Sequence, residues 1–77
     1  MITPAQCRAA RALLDWSQQD LAKAAHLGLS TIRDFEKGRR VPTHNNLQGI
    51  KLALEEAGVE IGEKRSRVAM KQEGTAK

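Results

Sequence analysis

Apolar residues recur at spacings of three and four from the N-terminus to Gly58, and each such stretch lies between residues that start or stop helices. Thr3 followed by Pro4 predicts a helix start, because the hydroxyl caps free amides while the missing proline N–H costs nothing there. This helix runs to about Leu14, with Cys7, Ala10, Leu13 and Leu14 near one face and Gln6, Arg8 and much of the Arg11 stem toward its edges. Ser17 opens a second helix, Gln18 to about Ala25, with Asp20 as a short-armed capping-box acid. Its Leu21, Ala22 and Ala25 face inward, and the small Ala22 lets another helix approach closely.

His26, Leu27 and Gly28 interrupt the pattern before a third helix from about Leu29 to Lys37, whose Ile32 and Phe35 share a face. Gly38 stops it, as the residue that most cheaply turns left-handed after a helix. Pro42 disfavours helix at Val41, and Thr43 caps a fourth helix, about His44 to Ala57, striped by Leu47, Ile50 and Leu54 and ended by Gly58. The period then changes. Val59 to Ile61 alternate like a strand, residues 62–66 read as a turn, and Arg67 to Lys71 alternate again around Val68 and Met70, so a small β-hairpin is expected. The expected fold is mainly α, a bundle of four or five helices with a short C-terminal hairpin. Residues 1–58 are expected to form the helix-turn-helix domain, 59–71 a C-terminal extension and 72–77 a polar, disordered tail.

Composition narrows the function. A chain of 77 residues has room for one small core. Thirteen Lys and Arg against nine Asp and Glu give a net charge of +4, which favours a polyanionic partner without naming one; ribosomal and membrane-surface proteins share this balance. The single cysteine, Cys7, excludes an intrachain disulfide and a Cys-based zinc site and fits a reducing cytoplasm. On the apolar face of its helix it reads as a small hydrophobe, and Trp16 reads as a core-edge aromatic. His26 and His44 are too isolated for a metal site. No stretch approaches the ~20 apolar residues of a spanning helix, and the N-terminus lacks the order of a secretory signal. A cytoplasmic protein with no cofactor, metal, membrane or small-molecule ligand is expected. Catalysis is not: the carboxylates are scattered, the two histidines distant, and no glycine-rich phosphate loop is present.

The informative feature is the register across the second and third helices. Leu21, Ala25, Leu27, Ile32 and Phe35 are apolar, Ala22 is small, and the connection is very short, so the two helices must cross steeply. The outer face of the third helix then carries Leu29, Ser30, Thr31, Arg33, Asp34 and Lys37. Residues 16–22 (TrpSerGlnGlnAspLeuAla), residues 30–38 (SerThrIleArgAspPheGluLysGly), the following ArgArgValPro and the amphipathic fourth helix together resemble the XRE and lambda-repressor-like helix-turn-helix family, over roughly residues 5–58. The resemblance implies double-stranded DNA as partner, a helix-turn-helix at about 17–38, a third helix that enters the major groove and a role in transcription regulation.

It also implies roles for particular residues. Gln18 matches a position that bonds a phosphate at the helix N-terminus, and Lys37, Arg39 and Arg40 match a loop that touches phosphates. Leu29, Ser30, Thr31, Arg33 and Asp34 match base-reading positions. Ser and Thr bond several base edges, Arg prefers guanine, Asp accepts from cytosine, and Leu offers apolar contact. Glu36 matches an acid paired with an arginine at the position of Arg11, a structural ion pair. Three departures from the family pattern stand out: His26 stands at a left-handed turn that usually holds glycine, Gly28 replaces a Ser or Thr cap, and Leu29 and Asp34 are unusual DNA-facing types. A homodimer is expected, through the fourth helix and a hairpin whose Val59, Ile61, Val68 and Met70 either meet a second copy or cap the core. The basic run at 64–67 either touches phosphate or keeps a turn soluble. The alternative function is a protein-interaction module of antitoxin or adaptor type on the same fold.

Overall fold

Every helix of the computed structural model starts at a residue whose local chemistry favours a start. The structure describes residues 1–62 and 67–71; the expected turn at 62–66 therefore lies largely outside it, as do most of the basic run at 64–67 and the tail at 72–77. Helix α1 spans Pro4–Leu14, α2 Gln18–Ala25, α3 Leu29–Glu36 and α4 His44–Glu56, followed by strands β1 (Val59–Ile61) and β2 (Val68–Met70). Thr3, Ser17 and Thr43 each accept a bond from the backbone N–H three residues on, and Gln6 and Asp20 return the bond at the first two, completing capping boxes. Gly28 caps α3 without a side-chain bond, as its missing side chain requires.

The helix ends follow the same logic. His26 adopts φ 60° and ψ 42°, and the turn closes by bonds from its N–H to Lys23 O and from Leu27 N–H to Ala22 O. The same pair of bonds ends α1 at Asp15, φ 58°, and α3 at Gly38, φ 74°. Only at Gly38 is the residue one that takes this conformation freely; at Asp15 and His26 the closed turn offsets a backbone cost.

Helix α4 packs on α2, α3 lies against α2 and α1, and the hairpin covers α1 and the end of α4. Leu21, Ile32, Ile50, Leu54 and Val59 are fully enclosed, with Cys7, Ala10, Ala22, Phe35, Leu47 and Ile61 around them. Trp16 and Leu27 sit half-buried at the margin. The strands pair antiparallel, Val59 opposite Met70 and Ile61 opposite Val68, so these four side chains share a face. Val59 and Ile61 thereby belong to the helical core.

Two placements on α1 differ from the sequence reading. Gln6 is buried, whereas Leu13 is 46% exposed. The two lie seven residues apart and so share a side of the helix. The hairpin covers that side at Gln6, whose Nε2 donates to Gly62 O and Arg67 O, both at 3.2 Å. Leu13, about two turns further on, lies beyond it.

Candidate nucleic-acid interface

Helix α3 separates its residues cleanly. Ile32, Phe35 and Glu36 point inward, Leu29, Ser30 and Arg33 are exposed, and Thr31 and Asp34 are half-buried on the flanks. Lys37, Arg39 and Arg40 follow at once and are exposed. Among the described residues no ion pair or side-chain hydrogen bond engages Arg33, Lys37, Arg39 or Arg40, so their charges face solvent. Gln18, at the start of α2, is half-buried.

Behind this surface Glu36 gathers donors. Its Oε2 accepts from Arg11 Nε at 2.7 Å and from Cys7 Sγ at 3.1 Å. Its Oε1 accepts from Arg11 Nη2 at 2.7 Å and from Gln18 Nε2 at 3.1 Å. The structure thus brings Arg11 and Glu36 together in a two-pronged ion pair, and adds three side chains that sequence reasoning did not connect to it. Arg8 Nη1 donates to the Glu36 carbonyl at 2.5 Å, Cys7 donates its thiol proton, and Gln18 donates an amide hydrogen. The helical spacing of Cys7, Arg8 and Arg11, which places them along one side of α1, was the only available signal.

Charge at Glu36 is the balance of opposing effects. Burial raises its pKa, but the bonds from Arg11, Gln18 and Cys7 outweigh this and hold the carboxyl below its ordinary range. The bond to Glu36 pushes Arg11 up against its own partial burial. Burial, and then the neighbouring Glu36, push the Cys7 thiol far up, so it stays protonated and serves as a donor. His26 and His44 are both exposed, and among the described residues no group of three or more His, Cys, Asp or Glu gathers to hold a metal. Among the described residues, no helix is long and apolar enough to cross a membrane.

A family model described as helix-turn-helix matches residues 8–53, well over half of the chain and all of α2 and α3. The chain belongs to the XRE and lambda-repressor-like helix-turn-helix family. No curated protein matches it. As a member of this helix-turn-helix family it is a DNA-binding regulator in general kind, and the family's domain is a DNA-binding, non-enzymatic one. Its helix-turn-helix consists of α2 and α3, joined through the left-handed His26, and the Arg11–Glu36 pair locks α1 to the end of α3.

Proposed function

We propose that the chain binds double-stranded DNA sequence-specifically, as a cytoplasmic transcription regulator, with α3 in the major groove. The observation that carries this reading is the division of α3: an apolar inner face, an outer face of Leu29, Ser30 and Arg33 flanked by Thr31 and Asp34, and three solvent-facing cations immediately after it. In this reading Ser30, Thr31 and Arg33 bond base edges, Leu29 touches an apolar edge such as a thymine methyl, and Asp34 accepts from cytosine or repels a wrong site. Gln18, Lys37, Arg39 and Arg40 bond phosphates and set the register of α3 on the duplex.

One recognition helix spans few base pairs, so two copies on half-sites about one helical turn apart are part of the proposal. Val59 and Ile61 are buried in this chain's own core, so within α4 and the hairpin the reading turns on Leu52 and Met70, 56% and 44% exposed, with the half-buried Val68 beside them.

An interaction-module role is favoured by one feature, the exposure of Leu29 (39%) and Val41 (81%) at either end of the α3 segment. Selection from a pool of random duplexes decides between the two. Enrichment of one motif, lost when Arg33 is replaced by alanine, supports DNA reading; recovery of unenriched sequence supports the protein-partner reading.

A further inference from the structure

Gln18 stands where two requirements meet. It is the first residue of α2, and the amides of Gln18 and Gln19 precede the first intrahelical bond, that of Leu21 N–H to Ser17 O. The next amide, that of Asp20, is already taken by Ser17 Oγ. Its side-chain Nε2 donates inward, to Glu36 Oε1 at 3.1 Å.

A carboxylate only accepts hydrogen bonds. The amide of Gln18 must therefore turn its NH2, and never its carbonyl oxygen, toward Glu36. The carboxylate itself cannot rotate away, because Arg11 holds both oxygens at 2.7 Å and Cys7 holds Oε2. Arg11 also balances its charge, so an anion beside Gln18 meets little repulsion from it. Nε2 carries two hydrogens, and the bond to Glu36 uses one. A phosphate oxygen, like the carboxylate, only accepts, and a flipped amide would oppose it with a second acceptor.

We propose that Glu36 is a positioning residue for DNA binding: it holds the Gln18 amide in the orientation that leaves one N–H for a phosphate at the α2 N-terminus. Its own side chain is 2% exposed, so Glu36 acts without touching DNA. The proposal rests on the DNA-binding reading above and adds to it a buried residue on which a phosphate contact depends.

Two measurements on the full chain test it. In the first, the side-chain amide of Gln18 is followed by nitrogen-15 NMR while a selected duplex is added. One Nε2 hydrogen should already be shifted and slow to exchange in the free protein, and the duplex should move the other. In the second, a duplex carrying one neutral methylphosphonate at the Gln18 phosphate should bind wild type about tenfold more weakly than the parent duplex. Gln18→Ala and Glu36→Gln should show almost no such difference, Glu36→Gln because its amide competes with that of Gln18. Should Glu36→Gln fail to fold, the NMR result on the wild type decides. A protein that binds with shifts along α3 while both Gln18 amide hydrogens keep the shifts and exchange rates of a solvent-exposed glutamine, or while the bond to Glu36 breaks on binding, overturns the positioning proposal alone. A protein that binds no duplex overturns the DNA-binding reading as well.

Discussion

Arg11 and Glu36 meet through two hydrogen bonds of 2.7 Å that join the second half of α1 to the last residue of α3. The Glu36 side chain is 2% exposed and that of Arg11 18%, so the pair lies mostly out of water. Breaking such a pair leaves an uncompensated charge in a poorly solvated place, and Arg11→Ala should cost roughly 3 kcal/mol. A double-mutant cycle with Glu36→Ala should give a coupling on the order of 1 kcal/mol or more, read from denaturant unfolding. Additive losses would mean that the two carry independent contacts.

The same network makes stability depend on pH at both ends. The folded pKa of Glu36 lies below its ordinary value of 4.5, so the stability it contributes is present above that pH and is lost as pH falls through the folded value. For Cys7 the folded pKa lies above the ordinary 9.0, so its contribution is present below that pH and fades as pH rises past it. Unfolding curves should therefore show an acid loss that Glu36→Gln lacks and an alkaline loss that Cys7→Ser reduces. Wild-type and variant profiles of the same shape would show that neither group titrates as described.

His26 offers a substitution that improves the fold. It holds φ 60° with an exposed side chain, a conformation costing an L-residue about 1–2 kcal/mol that glycine does not incur. Glycine brings its own unfolded-state entropy, so His26→Gly should gain about 1 kcal/mol or less, a rise in Tm of a few degrees for a chain this size. A fall in Tm would mean that the imidazole makes a stabilising contact.

The hairpin yields a prediction against the view that it is an appendage. Val59 is fully buried and Ile61 is 7% exposed, both in the core formed by the helices. Val59→Ala should cost about 2 kcal/mol, and a chain ending at Gly58 should lose more than that. A truncated chain melting with the intact one would place the hairpin outside the cooperative unit.

These tests follow a clear division between what the sequence showed and what it hid. The helix starts at Thr3, Ser17 and Thr43 and the stop at Gly38 were legible because capping is local: the residues that decide it lie within a turn of the helix end. The stripe of Leu47, Ile50 and Leu54 was legible because one period fixes one face. Gln6 was not, since its burial depends on carbonyls of Gly62 and Arg67 that reach it only after the hairpin folds back. The donors around Glu36 were hidden for the same reason: Cys7, Arg8 and Gln18 come from two other helices and carry no shared spacing with it. The resemblance of residues 16–22 and 30–38 to the family named the Arg11 and Glu36 positions, but the reason Glu36 holds its charge is visible only in three dimensions.

The central claim, that Lys37, Arg39 and Arg40 hold DNA so that α3 can read it, is tested most directly by salt dependence. Each phosphate contact releases condensed counterion, so each cation removed should lower the slope of log affinity against log salt by about 1. Titrating wild type and the Arg39→Ala/Arg40→Ala double variant against a selected and a random duplex at several salt concentrations should show the slope falling by about 2 on both, with the preference for the selected site kept. Unchanged affinity and unchanged slope in the double variant would contradict DNA binding through this face.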